Sequence, residues 1–379
     1  MTRLKIAIAT AGRFHVLDLA RELHALGHEV RFYSYVPRAR ARRFGLPDRC
    51  HVGLLAFTWP FLVWDRLAPR LWPQTRERFL HQMLDRAVIF RLRPCDVFIC
   101  MSGIYLAAAR HARQRFGARV WLERGSMHIL AQDEILAAIP GATRPDPYVV
   151  RRELEGHRLA DRIVVPSRHV VDSFVRDPAA WEKLFRNPYG VDLAMFPQQK
   201  HRPSGAPLEL LFVGAWSLQK GCDVLTTAVR TVDGVRLTHV GPMGDLAFPV
   251  DDHRFSHFAP VTQPSLTDFY SKSDVLVLPS RQDGFGLVLP QALASGLPVI
   301  CTDRTGGIDL AHTPALAERI TLVPVDDASA LAEAIARRRD RAREGFSCPP
   351  LAETDRQTLS WTAYAWRYSD ELVRDVAIR

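Results

Sequence analysis

The sequence contains little of what several classes of protein require. Its 379 residues include only six cysteines, with no C-x-x-C pair and no cysteine–histidine spacing typical of a zinc site. Most of the six lie in apolar runs, which favours buried thiols in a reducing compartment. No apolar run reaches the roughly 18–20 residues that a membrane-spanning helix needs. The N-terminus, MTRLKIAIAT, runs into a short strand and does not resemble a signal peptide. We therefore expect a cytoplasmic protein.

Two cofactor patterns are also missing. The loop after the first apolar strand, TAGRFH at residues 10–15, is not G-x-G-x-x-G, which argues against a nicotinamide-dependent dehydrogenase. No convincing D-x-D metal motif occurs, and Asp251 and Asp252 are expected to form a surface turn. We therefore expect no cofactor and no essential metal ion.

Composition and charge suggest two globular domains with different surfaces. Hydrophobic residues make up 47% and charged residues 24% of the chain, which is enough for two buried cores. The net charge of +9 is unevenly distributed. Residues 1–190 contain 31 Lys and Arg against 18 Asp and Glu, whereas the remainder contains 19 against 23. The first domain is therefore basic and the second slightly acidic.

The positive charge of the first domain lies partly in arginine groups interleaved with aromatic residues. The arginines are Arg38, Arg40, Arg42, Arg43, Arg66, Arg70, Arg76 and Arg78, and the aromatic residues are Trp59, Phe61, Trp64 and Trp72. Such a surface suits the anionic inner face of the cell membrane or a phosphate-bearing acceptor. Solvated helix faces are an equally good interpretation, and both stay open. Nucleic acid is not an expected partner, since no recognised nucleic-acid module occurs.

Short apolar strands alternate with helical segments along the chain. KIAIAT, VRFYSYV and DRIVVPS are typical strands of the first half, and LELLFVGA, DVLVLPS and PVICTD of the second. This alternation predicts an α/β fold with two doubly wound, Rossmann-like parallel sheets. Pro188 and Gly190 indicate the junction between an N-terminal domain, residues 1–190, and a C-terminal domain, residues 191–357. The amphipathic helix at about residues 358–379 is expected to pack back on the first domain.

The most informative segment covers residues 274–310. A buried strand is followed by a polar loop with Asp283, and residues 284–286 (GFG) then open a predicted helix. Free N–H groups and the dipole at a helix start favour an anion such as a pyrophosphate. Gln291 follows Asp283 at a distance of up to ~12 Å along a helix. This spacing suits a sugar–diphosphate–ribose ligand, with Asp283 at the sugar and Gln291 at the ribose. A plain helix cap with an exposed glutamine is the alternative.

A second motif covers residues 211–225, LFVGAWSLQKGCDVL. A strand leads into a glycine turn at Gly214, and Lys220 lies just before the next predicted helix. A lysine at this place can neutralise a diphosphate leaving group, although an exposed lysine before a helix explains this motif equally well on its own. Both motifs follow strands of the same domain, and the combination favours one phosphate site.

These motifs resemble those of the retaining glycosyltransferases of family 4, the group 1 transferases, which have the GT-B fold. That family shows G-R-x-x-x-x-K-G and later E-G-F-G-x-x-x-x-E, and the likeness extends over most of the chain. The resemblance implies two Rossmann-like domains that face a cleft and a nucleotide diphosphate sugar as donor. It also implies the donor-binding residues, which are Gly12, Gly214, Lys220, Asp283, Gly284, Phe285, Gly286, Leu287 and Gln291.

Three positions depart from the family pattern. Ala215 stands where the pattern has an arginine, and Asp283 and Gln291 replace the two glutamates. Asp283 keeps the charge with a shorter reach, whereas Gln291 loses a charged hydrogen bond to the ribose, about 1–2 kcal/mol. We interpret the chain as a variant subgroup with a DGFG…Q pattern, and not as an inactive form.

The first domain offers two further candidates. The family places a histidine in the cleft near the end of the strand that here reads VWLERGS, and either Arg124 or His128 takes that place. Both are therefore candidate catalytic residues, together with Lys220 and Asp283 of the second domain. A structural role is the alternative for His128.

The resemblance implies a retaining, metal-independent transfer of a hexose-type sugar. The acceptor is expected to be a glycan or a lipid-linked molecule, in cell-surface polysaccharide biosynthesis. Lys220 and the helix start near Gly286 would stabilise the leaving diphosphate. Two alternatives stay open. One is a non-catalytic nucleotide-sugar-binding protein or partner subunit, and the other is a GT-B nucleotide-sugar epimerase.

Overall fold

The chain forms two compact units, each built on its own sheet. The structure, a computed structural model, describes residues 2–67, 73–138, 144–198, 207–346 and 348–378. The first unit comprises Met1–Val165, Val171–Asn187 and Tyr364–Arg379, and the second comprises Pro166–Val170 and Pro188–Ala363. The last 16 residues of the chain thus belong to the first unit.

The first unit contains a seven-stranded parallel sheet. Its strands are β1 (Lys5–Ala9), β2 (Glu29–Ser34), β3 (His51–Gly53), β4 (Val97–Met101), β5 (Arg119–Glu123), β6 (Arg162–Val165) and β7 (Leu184–Arg186). They lie in the order β3-β2-β1-β4-β5-β6-β7. The central strands are apolar on both faces, as expected for a parallel sheet covered by helices on each side.

Nine helices occur in the described residues up to residue 187. They are α1 (Phe14–Ala25), α2 (Arg38–Arg43), α3 (Leu55–Leu67), α4 (Pro73–Arg91), α5 (Leu106–Phe116), α6 (Ile129–Ala137), α7 (Pro147–Leu159), α8 (Arg168–Asp172) and α9 (Pro178–Trp181). Helix α1 buries Val16, Leu19 and Leu23, which recur at helical spacing in the sequence. A short 3₁₀ helix covers Asp48–Cys50.

The second unit contains a six-stranded parallel sheet. Its strands are β8 (Leu208–Val213), β9 (Val235–Val240), β10 (Phe255–Phe258), β11 (Val275–Leu278), β12 (Val299–Thr302) and β13 (Ile320–Val323). They lie in the order β10-β9-β8-β11-β12-β13. Strands β8 and β11 are neighbours although they are not consecutive, with Leu210 paired to Val275. The chain therefore winds outward from this pair in both directions.

Eight helices complete the described residues. They are α10 (Cys222–Thr231), α11 (Gln263–Ser271), α12 (Val288–Ala294), α13 (Gly307–Leu310), α14 (Pro314–Ala317), α15 (Ala328–Arg343), α16 (Glu353–Thr358) and α17 (Trp361–Ala377). Within the first unit, α17 contacts β5 through Asp375, which accepts hydrogen bonds from Trp121 Nε1 (2.8 Å) and Arg119 Nε (2.9 Å).

The predicted α/β fold with two Rossmann-like parallel sheets is confirmed. One element differs, because the helix predicted to open at residues 284–286 begins only at Val288. Residues 284–287 form a loop instead. Five of the six cysteines are buried free thiols, as predicted, and Cys348 is half-buried.

Two further observations concern membranes. Among the described residues, none of the helices combines the length and the apolar character needed to cross a bilayer. Of the basic, aromatic segment identified in the sequence, Arg70 and Trp72 lie outside the described residues. Trp59 is 60% exposed, so at least one large aromatic side chain of this segment is at the surface.

Candidate functional site

The topology of the second unit points to one edge of its sheet. The strand order reverses direction between β8 and β11, and ligands of doubly wound sheets bind beyond the carboxyl ends of the strands at such a switch point. The loop after β8 carries Gly214 and Lys220, and the loop after β11 carries Asp283 and residues 284–287. All these sequence-predicted residues therefore follow the two strands at the switch point.

A glycine lets these two loops touch. Gly221 has a left-handed backbone with φ 69°, and a Cβ atom there would lie 2.1 Å from the carbonyl oxygen of Pro279. Only a residue without a side chain fits such a close approach. The contact sets Lys220, the preceding residue, beside the loop after β11.

Lys220 and Asp283 form an ion pair. The Lys220 ammonium donates to Asp283 Oδ2 over 2.5 Å, although 63 residues separate the two in the chain. Their side chains are 23% and 19% exposed, so solvent still reaches both groups. Asp283 is fixed from its other side by its backbone N–H, which donates to the Arg304 carbonyl over 3.1 Å. The two candidates that the sequence motifs suggested thus lie in direct contact.

Arg281, which the sequence analysis did not identify, ties the two loops together. Its guanidinium donates to both carboxylate oxygens of Asp223 at 2.7 Å and lies 2.6 Å from Asp326. The hydrogen bonds to Asp223 raise the arginine's pKa above its ordinary value. Gln219 adds a second tie, because its Nε2 donates to Gln282 Oε1 over 2.6 Å. These contacts hold the two loops together, so we assign Arg281 a positioning role. In the sequence, the only indication of this role is its place two residues before Asp283 in the motif.

The loop after Asp283 presents backbone donors. Within the part of the chain that the structure describes, the N–H groups of residues 284–287 make no hydrogen bond. The loop is held from behind, where Ser167 Oγ donates to the Gly284 carbonyl over 2.7 Å. The Phe285 ring is 2% exposed and packs so closely on Gly306 that a Cβ there would lie 2.2 Å from it. Consecutive free N–H groups in a turn can bind an anion, so this loop is a candidate for phosphate binding.

Gln291 lies deeper than the sequence suggested. It sits in α12 with 6% of its surface exposed, and its Oε1 accepts a hydrogen bond from the Tyr270 hydroxyl over 3.0 Å. Burial raises the pKa of Tyr270, so the phenol stays a donor to the amide. The exposed-glutamine alternative is therefore wrong. The ribose-binding role stays a prediction.

Gly214 marks the base of the loop after β8. Its N–H donates to Val240 over 3.0 Å, and its carbonyl oxygen lies 2.9 Å from His239 Nε2. The neighbouring Ala215 contributes no charge, so the positive charge contributed by these two loops comes from Lys220 and the internally paired Arg281.

The first unit carries the remaining predicted residues. Gly12 lies in the loop after β1, where its carbonyl accepts from Thr10 Oγ1 over 3.1 Å. The β1 strand is adjacent to β4, and the order reverses between them, so Gly12 also follows a strand at a switch point. Phe14, the first residue of α1, has a positive φ of 35° and is 53% exposed.

Arg124 and His128 are both buried among protein partners. Arg124 is 8% exposed and donates to Glu153 Oε1 (2.8 Å) and, from Nε, to the Met127 carbonyl (2.9 Å). His128 is 2% exposed and caps α6, with Nδ1 accepting from the Leu130 N–H over 3.3 Å. Burial lowers the pKa of His128, and the nearby Asp177 opposes this effect only in part. These contacts favour structural roles, and the catalytic role of either residue stays a prediction.

A buried polar network beside Gly12 was missed by sequence reasoning. Glu123, at the end of β5, is 1% exposed, and its two oxygens contact His15 Nε2 (2.8 Å) and the Tyr368 hydroxyl (2.7 Å). His15 lies in the first turn of α1, three residues after Gly12. The network thus fixes the start of α1, and its parts are too far apart in the chain for a local pattern to reveal them.

The geometry of the second unit supports one kind of chemistry. One ammonium and several free N–H groups lie together, and a carboxylate stands beside them. Such a set can bind a phosphate or diphosphate group and stabilise negative charge on a leaving oxygen.

Family models match both parts of the chain. Residues 11–190 match the model described as "Glycosyl transferase 4-like domain", and residues 207–339 match "Glycosyl transferases group 1". Among relatives, a D-inositol 3-phosphate glycosyltransferase of Pseudarthrobacter chlorophenolicus is 31% identical over 212 residues, 49% of this chain and 50% of that protein. One of Thermomonospora curvata is 29% identical over 66% of this chain and 65% of that protein. The chain thus spans between half and two thirds of the length of these relatives.

A solved structure resembles the whole chain. Sucrose-phosphate synthase from Thermosynechococcus elongatus superposes with a TM-score of 0.72 at 20% identity, covering 99% of both chains. This likeness identifies the GT-B glycosyltransferase fold, with two Rossmann-like sheets.

Proposed function

Because this chain combines a glycosyl transferase 4-like domain with a group 1 glycosyl transferase domain, we propose that it is a retaining glycosyltransferase. It transfers a hexose-type sugar from a nucleotide diphosphate donor to a glycan or lipid-linked acceptor. The observation that carries this proposal is the Lys220–Asp283 contact of 2.5 Å beside the free N–H groups of residues 284–287.

The ion pair suggests how the donor is bound. A diphosphate carries more negative charge than Asp283 and competes with it for the Lys220 ammonium. When Lys220 turns to the phosphates, Asp283 is released and its carboxylate can accept hydrogen bonds from the hydroxyls of the transferred sugar. The free N–H groups of residues 284–287 bind the phosphate oxygens from the other side. Donor binding thus replaces the Lys220–Asp283 ion pair with new partners for both side chains, so neither charge is left unpaired.

The chemical step needs no added base on the chain. The acceptor oxygen forms a bond to the anomeric carbon on the face from which the diphosphate leaves, and the bond between that carbon and the phosphate oxygen breaks. The acceptor proton moves to the departing phosphate oxygen. Lys220 and the loop N–H groups stabilise the charge on the leaving group, which is the task a metal ion performs in other transferases. We therefore propose metal-independent transfer.

The proposed acceptor class follows from the positive charge of the first domain. Its excess of arginines and its exposed Trp59 suit a reaction at the cytoplasmic face of an anionic membrane, where lipid-linked acceptors lie. Cell-surface polysaccharide synthesis is the process that fits this combination.

Donor binding tests the proposal directly. We expect the purified protein to bind UDP or another nucleoside diphosphate, UDP being the first probe because Anabaena HepE (13% identity, TM-score 0.63, 98% of this chain and 100% of that chain) has been solved with UDP and glucose. Lys220→Ala should weaken this binding by about 10- to 100-fold, the loss expected for charged hydrogen bonds. Lys272→Ala removes an exposed lysine of the same unit and should leave the affinity unchanged. Calorimetric titration of the three proteins measures the difference.

The outcomes separate the alternatives. Binding with slow donor hydrolysis or transfer supports the transferase, while binding without any turnover supports a nucleotide-sugar-binding protein. Release of free nucleoside diphosphate with water addition and an altered sugar supports an epimerase. Equal affinities in Lys220→Ala and Lys272→Ala would contradict the proposed site.

A further inference from the structure

Two buried histidines and one aspartate meet in the first unit, whereas the proposed donor site belongs to the second. His128 caps the start of α6, His157 lies in α7, and Asp177 caps the start of α9. One ligand atom from each of the three lies within 4.8 Å of the other two. The histidines are 2% and 1% exposed, so water does not reach their rings. We propose that His128, His157 and Asp177 bind a divalent metal ion of the zinc type.

The two imidazole rings contain buried nitrogens that have no hydrogen-bond partner among the described residues. In the described part of the chain, His128 Nε2 and both ring nitrogens of His157 are buried without a hydrogen-bond partner. Unpaired buried polar atoms are uncommon in folded proteins, because each loses its hydration without compensation. A metal ion bound between the rings satisfies two of these three nitrogens at once.

The distances suit tetrahedral coordination. Asp177 Oδ2 lies 3.4 Å from His128 Nε2 and 3.7 Å from His157 Nδ1. Ligand atoms that each lie about 2.1 Å from a tetrahedral zinc ion are about 3.4 Å from one another. The two histidine nitrogens lie within 4.8 Å of each other, so the rings approach one another when all three atoms bind one ion. Imidazole and carboxylate together are ligands that zinc accepts readily.

The surroundings orient each ligand. Asp177 Oδ1 accepts the α9 cap hydrogen bond from Ala180 N over 3.2 Å, which leaves Oδ2 for the histidines. His157 Nε2 lies 3.8 Å from Glu153 Oε2, so a small movement of the ring on metal binding would let it donate to this carboxylate, as metal-bound histidines commonly do. The Phe174 ring packs on both imidazoles, with centroids 4.8 and 5.2 Å away. The ligand set is thus held in place before an ion arrives.

Burial and access also fit. A buried imidazole favours its neutral form, and the neutral ring is the form that binds a metal. The side chain of Asp177 is 27% exposed, which gives the ion an entry path and a water molecule the fourth position. The ion joins α6, α7 and α9 and lies outside the proposed reaction, which stays independent of metal.

One hydrogen bond changes when the ion binds. His128 Nδ1 accepts from the Leu130 N–H at 3.3 Å, so coordination through Nε2 moves the ring proton to Nδ1 and ends this long contact. The Leu130 amide then exchanges faster with solvent in the zinc-loaded protein. This readout distinguishes coordination at His128 from zinc bound elsewhere among the fourteen histidines.

The test compares two variants of equal charge. The full chain is stripped with a chelator, equilibrated with zinc chloride, passed through a desalting column and analysed for metal. We expect about one zinc per chain, and Asp177→Asn, which keeps the cap acceptor, should bind zinc at least about tenfold more weakly. Glu182→Gln removes an exposed carboxylate from the same segment and should bind like the unchanged chain.

Further measurements keep the result interpretable. Zinc should raise the melting temperature of the unchanged chain and of Glu182→Gln, but not that of Asp177→Asn. His128→Gln provides a second loss of ligand in case Asp177→Asn fails to fold, and circular dichroism checks both. Absence of retained zinc in the unchanged chain, or equal retention in Asp177→Asn, would overturn the proposal. An unchanged exchange rate at Leu130 would overturn the assignment of His128 as a ligand.

Discussion

Gly221 shows how a single position sets the geometry of the proposed donor site. Several other glycines in the described part of the chain share its left-handed backbone conformation, but Gly221 alone among them approaches the Pro279 carbonyl. Gly345 has a similar φ of 79° and no atom within 4 Å of its would-be Cβ. The pair therefore separates the effect of backbone conformation from that of steric contact.

We expect Gly221→Ala to destabilise the second unit more than Gly345→Ala. The left-handed conformation alone costs an alanine about 1–2 kcal/mol, and this applies at both positions. At Gly221 the clash with the Pro279 carbonyl also moves the loop, adding about 2 kcal/mol or more. Urea denaturation of the two variants measures the difference. Equal unfolding free energies would show that the two loops are not in contact.

At the scale of elements, α17 depends on one buried carboxylate. Asp375 is 2% exposed and pairs with Trp121 and Arg119 on β5. Another acidic residue of α17, Asp370, pairs with Arg374 at the surface, where the two side chains are 57% and 67% exposed. The same helix thus contains a buried and an exposed ion pair.

Removing these carboxylates should have different effects. Asp375→Ala leaves the buried Trp121 N–H without an acceptor, while Arg119 keeps Asp161 at 3.2 Å. We expect a loss of about 2–3 kcal/mol for Asp375→Ala and less than about 0.5 kcal/mol for Asp370→Ala. Thermal and urea unfolding of both variants provide the measurement. A small effect of Asp375→Ala would mean that α17 is held by its apolar face alone.

At the scale of the whole molecule, buried histidines couple stability to pH. His81 is 6% exposed and stacks on Tyr148, and burial, aided by Arg152, lowers its pKa to about 4. In the unfolded chain a histidine titrates near 6.5. Between these values the unfolded state binds more protons, so stability falls as the pH falls from about 6.5 to about 4.

His81→Phe should reduce this pH dependence. Phenylalanine keeps a ring against Tyr148 and cannot be protonated, so the variant should lose about 1–2 kcal/mol less than the unchanged chain between about pH 7.5 and about pH 5. His253→Phe replaces an exposed histidine and should leave the pH dependence of the unfolding free energy unchanged. Urea midpoints at the two pH values provide the comparison. The same pH dependence of the unfolding free energy in both variants would show that unfolding does not change the protonation of His81.

The sequence determined the features that depend on local pattern. Alternating apolar and amphipathic segments predicted two Rossmann-like parallel sheets, since strand and helix periodicity are written in neighbouring residues. Apolar runs around the cysteines predicted buried thiols. The two glycine-bearing motifs predicted that Lys220 and Asp283 belong together, because both follow strands and strand ends of a parallel sheet share one edge.

Tertiary structure decided everything that depends on which distant segments meet. It fixed the strand order that makes β8 and β11 neighbours, the contact of Gly221 with Pro279, and the tie between Arg281 and Asp223. It also buried Gln291 against Tyr270, and it brought together His128, His157 and Asp177, which lie up to 49 positions apart. Such contacts arise from side-chain packing between elements, and packing is not encoded in the spacing of residues along any one of them.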